Sequence, residues 1–298
     1  MVDGASSLAK RRRISDLVIG LTIVAFGTSS PELILSIIAS WKGAADLAIG
    51  NVIGSNISNI LLVGGIAAVI YPIAIQKSMI KKEVPLSLAA VGVLFVLVNN
   101  FLLQPNQVTY LGRIDGLILL FLFVVFIYYS FGLAKRHSQE NINFEIYPYS
   151  KSIFYILIGI VGLTIGGHWI INSSEILARQ FGLSEALIGL TILAIGTSLP
   201  ELATSVVAAV KKKTDLAIGN IVGSNIFNIF LILGVSSLIK PLAFNPKLNP
   251  DILICALASG ALFYFALTGR KKRRIERWEG AVLLTAYFLY LIFLLWRG

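Results

Sequence analysis

ISDLVIGLTIVAFGTSSPEL (residues 14–33) returns later in the chain as LSEALIGLTILAIGTSLPEL (residues 183–202). The match runs without a gap from 14–72 onto 183–241 at a constant offset of 169, with 32 of 59 positions identical. It takes in DLAIGNVIGSN (46–56) and its answer DLAIGNIVGSN (215–225). A repeat this long and in fixed register sets the organisation of the chain before any single element is assigned.

Composition says what solvent the repeat lives in. Of the 298 residues 56% are apolar and 13% charged, with a mean hydropathy of +0.84, whereas an ordinary soluble domain carries roughly 25% charged residues. That balance excludes a soluble enzyme. Reading the apolar runs as membrane spans predicts helices near 14–40, 44–72, 85–103, 113–133, 152–178, 184–210, 214–239, 249–268 and 278–296, with a short remnant before Lys10. The single cysteine, Cys255, lies in an apolar run and offers neither a disulfide nor a thiolate metal site.

The net charge of +10 is explained by where the 25 Lys and Arg residues fall. Alternate loops hold Lys10 to Arg13, Lys77 to Lys82, Lys135 to Lys151, Lys211 to Lys213 and Arg270 to Arg277, together 19 positive charges. The other loops hold six: Lys42, Arg113, Arg179, Lys240, Lys247 and Arg297. The positive-inside rule puts the richer set in the cytoplasm and the C-terminus outside. The basic clusters are then topology signals that also favour anionic lipid, and nucleic acid is not an expected partner. Five crossings separate equivalent points of the two copies, an odd number, so the second copy is inserted upside down. Inverted repeats are characteristic of secondary transporters, with the substrate site near the midplane. The boundaries that follow are a first repeat over 1–133, a cytoplasmic connector over 134–151 and a second repeat over 152–298.

Within each copy the chemistry gathers on two neighbouring helices. Pro31 has no N–H to give the carbonyl of Gly27, and Pro200 has none for Gly196, so both helices should break at membrane depth. Such a break is tolerated where it is buried in protein or lines a cavity, and its freed carbonyls are potential cation ligands. Thr28, Ser29 and Glu32 share a face beside the first break. On the next helix Asn51, Ser55 and Asn59 repeat every fourth residue, answered by Asn220, Ser224 and Asn228. Glu32 and Glu201 are the acidic residues deep inside apolar spans, where a carboxylate costs about 2.5 to 3.5 kcal/mol on insertion scales. Two carboxylates balance one divalent cation, and hydroxyl, amide and carbonyl oxygens can complete a calcium shell. The lack of His and Cys there disfavours zinc and copper.

Other features have plainer readings. Gly50 with Gly54, and Gly219 with Gly223, suit close helix packing. His168 reads as a packed or interfacial residue. Asn56 matches a glycosylation sequon but lies inside a span, so that match is rejected. Asp46 and Asp215 read as helix N-caps. With no HExxH, no paired membrane aspartates and no phosphate loop, the chain is not expected to be an enzyme or to hold a cofactor.

GTSSPEL with GNVIGSNISN, and GTSLPEL with GNIVGSNIFN, resemble the alpha-repeats of the sodium/calcium exchanger family of calcium/cation antiporters. The resemblance covers nearly the whole chain. It implies an all-α polytopic membrane protein of two inverted five-helix repeats, a ten-helix bundle in a prokaryotic inner membrane, carrying calcium and sodium. Carried over by motif position, it implies calcium bound by Glu32 and Glu201 with the carbonyls of Thr28 and Thr197. It likewise implies sodium bound by Ser29, Ser55, Ser198 and Ser224 with the carbonyls of Ala25 and Ala194, and Asn59 and Asn228 in the middle. Some relatives have aspartate at one or both of the last two positions; asparagine at both makes potassium co-transport less expected. The first and sixth helices are implied to slide across the rest to switch access. A proton-coupled exchanger using the same glutamates, and a channel or non-transporting membrane protein on the same fold, stay open as alternatives. At the repeat offset Met1 falls opposite Ile170, so the counterpart of SIFYILIGIVGLTIGGHW (152–169) is absent from the given sequence. The expectation is a late start, with about 18 to 25 mostly apolar residues encoded upstream.

Overall fold

Inside a bilayer a chain must satisfy its own backbone, and apolar runs of this length do so as helices. The computed structural model describes residues 2–11, 14–99, 109–134, 147–180, 184–268 and 273–297. Their helices are α1 (Val2–Arg11), α2 (Asp16–Thr28), α3 (Ser30–Lys42), α4 (Ala45–Ile70), α5 (Lys77–Lys81), α6 (Glu83–Val98) and α7 (Arg113–Ala134), then α8 (Tyr149–Gln180), α9 (Ala186–Thr197), α10 (Leu199–Val210), α11 (Thr214–Ile239), α12 (Asn249–Thr268) and α13 (Arg277–Arg297). Helices α4, α7, α11, α12 and α13 are long and apolar enough to cross a membrane, and the bent pairs α2–α3 and α9–α10 qualify as two broken spans. Of the remaining expected spans, α6 has 16 residues and α8 has 32, the latter about 48 Å long at 1.5 Å per residue. Helix α1, ten residues long, packs along α8.

Polarity is turned inside out. Phe121, Val124, Leu257, Leu289 and Ile292 are exposed on the outside of the bundle, while Glu32, Asn51, Ser55, Asn56, Asn59, Glu201, Asn220, Ser224, Asn225 and Asn228 are buried. Helices α4 and α11 hold the centre, with 78% and 94% of their apolar stretches buried against 22% for α7.

The two copies are built around each other. Helix α2 packs on α11, and α9 packs on α4. Glycines permit the approach: a Cβ on Gly54 would lie 2.7 Å from the Leu190 carbonyl and 2.7 Å from the Ala194 Cβ, and one on Gly223 would lie 2.8 Å from the Leu21 carbonyl and 2.9 Å from the Ala25 Cβ. The GxxxG spacing therefore brings broken helix and central helix together across the repeats. Short antiparallel strands join the copies again: β1 (Ile73–Ala74) pairs with β4 (Arg274–Ile275), and β2 (Tyr110–Leu111) with β3 (Leu242–Ala243). One crossing, α6, separates β1 from β2, so the two sheets close opposite ends of the bundle.

Two details differ from the sequence reading. Asp46 and Asp215 sit in the first turns of α4 and α11, and the N-cap positions belong to Ala44 and Lys213. Each aspartate instead accepts a hydrogen bond from the other repeat. Asn245 Nδ2 donates to Asp46 at 2.9 Å and Gln76 Nε2 to Asp215 at 2.6 Å, donors that are themselves 169 residues apart. The side chains of His168 and of Asn172, which also opens an Asn-x-Ser sequon, lie outside what is described.

The glycine contacts carry a prediction. Gly54→Ala or Gly223→Ala should destabilise the protein by about 1 to 3 kcal/mol, the range for overpacking, and lower its melting temperature in detergent. Gly92→Ala, where a Cβ meets nothing within 4 Å, should leave it unchanged or slightly raised. Equal melting temperatures for all three variants would refute the crossing as the tight point.

Candidate cation site

Each break is a single residue wide. Ser29 (φ −81°, ψ 7°) separates α2 from α3 at a bend of 45°, and Ser198 (φ −78°, ψ 0°) separates α9 from α10 at 41°. Pro31 and Pro200 are the second residues of the new helices, where a missing N–H does least harm. Wider π turns precede the breaks at Gly20–Val24 and Gly189–Leu193, and occupy α4 and α11 at Asn59–Gly64 and Phe227–Leu233. Such turns recur where helices carry function.

The breaks change what Glu32 and Glu201 are. As part of unbroken spans they would sit mid-helix, whereas here each occupies the first turn of a half-helix. The positive end of the helix dipole favours a carboxylate there by about 0.3 to 1 kcal/mol, and by up to ~2 in partly buried geometries. Both side chains are fully buried.

Glu201 draws hydroxyl partners from both copies. Ser29 Oγ donates to Glu201 Oε1 at 2.9 Å, and Ser224 Oγ donates to the same oxygen at 3.1 Å. Glu201 Oε2, both oxygens of Glu32 and Ser198 Oγ have no hydrogen-bond partner among the described residues. Thr28 Oγ1 donates to Asn220 Oδ1 at 3.1 Å, and Thr197 Oγ1 donates to Asn51 Oδ1 at 3.2 Å and lies 3.2 Å from Ser55 Oγ. The threonine side chains thus tie broken helix to central helix. The Ala25 and Ala194 carbonyls accept the N–H groups of Ser29 and Ser198 at 2.9 and 3.1 Å, and the Ala25 carbonyl also lies 3.3 Å from Thr28 Oγ1. Asn59 and Asn228 are fully buried, and the Oδ1 atom of each lacks a partner.

Two residues beside these were missed by sequence reasoning. Asn56, set aside as a false sequon, and its counterpart Asn225 hydrogen-bond to each other's backbone carbonyls at 3.3 Å and to the amides of Asn228 and Asn59. The signal was present: a polar residue inside an apolar span, repeated at the same place in both copies. Other buried acids are different in kind. Asp251 accepts from Tyr290 at 3.0 Å and Arg297 at 2.9 Å, filling both oxygens, and Glu83 accepts from Tyr129 at 2.5 Å. These are held at helix starts by partners, whereas Glu32 is buried with none.

Among the described residues no three acidic, histidine or cysteine side chains cluster as a metal centre. The donors are two carboxylates among neutral oxygens, a set suited to hard cations. A helical bundle that buries such a set at paired helix breaks is a membrane transporter of cations.

Comparison with known proteins narrows the class. The family described as "Sodium/calcium exchanger protein" matches residues 1–132 and 151–296. The chain is 39% identical to the putative antiporter CaxA of Alkalimonas amylolytica, covering 98% of this chain and 92% of that one. It is 33% identical to the sodium/calcium exchanger MaX1 of Methanosarcina acetivorans, covering 98% and 93%. Its fold matches a solved structure of the sodium-calcium exchanger NCX_Mj, soaked with sodium and calcium, at a TM-score of 0.79 and 32% identity over 98% of this chain and 91% of that one. The chain belongs to the sodium/calcium exchanger family: it is an integral, multi-pass membrane antiporter of cations, a transporter rather than an enzyme.

Proposed function

We propose that this antiporter exchanges sodium for calcium through one shared site between the helix breaks. The observation that carries the reading is the pair of buried glutamates whose oxygens are largely without protein partners. Calcium needs six to eight oxygens. Glu32 and Glu201 supply the charge, and the carbonyls of Thr28 and Thr197 complete the inner shell. Sodium uses Ser29, Ser55, Ser198 and Ser224 with the carbonyls of Ala25 and Ala194, and Asn59 and Asn228 stand between. The hydroxyls of Ser29 and Ser224 already give their protons to Glu201, so their lone pairs remain for a cation. Both ions draw on the charge of Glu32 and Glu201 for neutralisation, so one must leave before the other binds. Alternating exposure of such a site is antiport.

The mobile pair in this reading is α1 with α8, which pack on each other and on the broken helices. The repeats are 1–133 and 152–298 in opposite orientations, with the 134–151 connector cytoplasmic and the C-terminus outside, in a prokaryotic inner membrane.

Calcium-45 uptake into proteoliposomes tests the coupling ion. An outward sodium gradient should drive uptake and a pH gradient should not; the reverse result replaces sodium by protons. Glu32→Gln and Glu201→Gln should each reduce sodium-driven uptake to the protein-free background while the variants still insert, and retained exchange in either would sink the site assignment. Asn59→Asp or Asn228→Asp adds a third carboxylate and should shift the sodium and potassium dependence of uptake. Unchanged dependence in both variants would remove those residues from the site.

A further inference from the structure

Asn56 and Asn225 face each other where α4 meets α11, both almost fully buried. The hydrogen bonds they make leave little freedom of assignment. A backbone carbonyl can only accept, so the group that Asn56 turns to the Asn225 carbonyl must be its NH2. Its Oδ1 therefore faces the other way, 3.0 Å from the amide of Asn228, which must present its own NH2. The Oδ1 of Asn228 is thereby turned out of this pairing and has no protein partner. The mirror chain runs from the Asn56 carbonyl through Asn225 to the NH2 of Asn59 at 3.1 Å, leaving Asn59 Oδ1 free in the same way.

We propose that Asn56 and Asn225 are positioning residues that fix the amides of Asn228 and Asn59 so that each offers oxygen rather than NH2 to the transported cation. The proposal rests on Asn59 and Asn228 lining the site. A terminal amide is nearly symmetric in shape, so packing alone does not choose which end points inward. Reversed, each would turn two N–H donors toward a cation and repel it. Joining α4 to α11 requires only the reciprocal bonds to the backbone. The second bonds, each to the partner's site asparagine, are what glue alone leaves unexplained.

The test is a pair of double-mutant cycles on the full chain in proteoliposomes, reading the half-saturating concentrations of sodium and calcium for exchange. Asn56→Ala and Asn228→Ala should each raise at least one of these by about fivefold or more, the net worth of one hydrogen bond. Asn56→Ala added to Asn228→Ala should raise it by less than about twofold again, because the amide that Asn56 orients is gone. Asn56→Ala added to Asn59→Ala should instead show the full product of the two single effects. The mirror cycle, Asn225→Ala with Asn59→Ala, carries the same comparison if Asn56→Ala does not reconstitute. Full products in both pairings would make Asn56 a structural clamp and overturn the proposal. It is equally overturned if Asn228→Ala raises half-saturation and Asn56→Ala does not. If Asn228→Ala and Asn59→Ala have no effect, the failure lies in their assignment to the site, and the positioning role falls with it.

Discussion

Two carboxylates buried at the depth of a bilayer are the constraint on which the rest of the structure depends. Among the described residues neither Glu32 nor Glu201 has a lysine or arginine partner, and Glu201 is held by the hydroxyls of Ser29 and Ser224. Each is accommodated by breaking its helix one turn earlier, so that a helix N-terminus stands behind the charge. A broken helix frees backbone groups, and these need protein rather than lipid around them. That requirement accounts for the central position of α4 and α11, for glycines at the crossings with α9 and α2, and for the threonine to asparagine bonds across the repeats. Packing, polarity and topology thus answer one electrostatic problem, solved twice.

The two solutions are equal in sequence and unequal in contacts. Glu201 accepts from Ser29 and Ser224, while Glu32 accepts from neither Ser198 nor Ser55; Ser55 turns to Thr197 instead. In the proposed inverted arrangement such inequality is expected: if both copies had one conformation, the site would be equally open or equally closed to the two sides. In the proposed exchange the copies trade conformations. The helix ends show how much departure the fold tolerates, since Gly43 and Lys212, 169 residues apart, both close a helix in the left-handed region at φ 81° and 60°. Glycine does this freely and lysine at a cost of about 1 to 2 kcal/mol.

Most of the architecture was legible because a bilayer leaves few choices. Apolar length marked the spans, the offset of 169 marked the copies, and proline inside an apolar run marked the breaks. What could not be read is pairing across space. The meeting of Asn56 with Asn225 depends on how α4 and α11 pack, and that of Asn245 with Asp46 on where the segment after β3 meets the start of α4; nothing local to these residues states either. A sequon match states only what one residue could accept from outside the fold, whereas the partner of Asn56 is its counterpart in the second copy, 169 positions on. The helix-end position of the glutamates was similarly hidden, since proline announces a break but not which residue becomes the first turn.

Asparagine at both central positions also bears on charge. With Glu32 and Glu201 as the only acids in the proposed site, one calcium ion or two sodium ions neutralise it, and a further sodium leaves it positive. Neutral amide oxygens lower the cost of that extra cation without adding charge of their own, but only while the oxygen ends face it. An aspartate in their place would balance the third ion outright and, when empty, would add a third buried carboxylate to a site that already holds two. The asparagines trade charge for orientation, and orientation must be enforced by neighbours. In this chain the residues in position to enforce it are Asn56 and Asn225, whose own amides are held by backbone carbonyls that cannot turn.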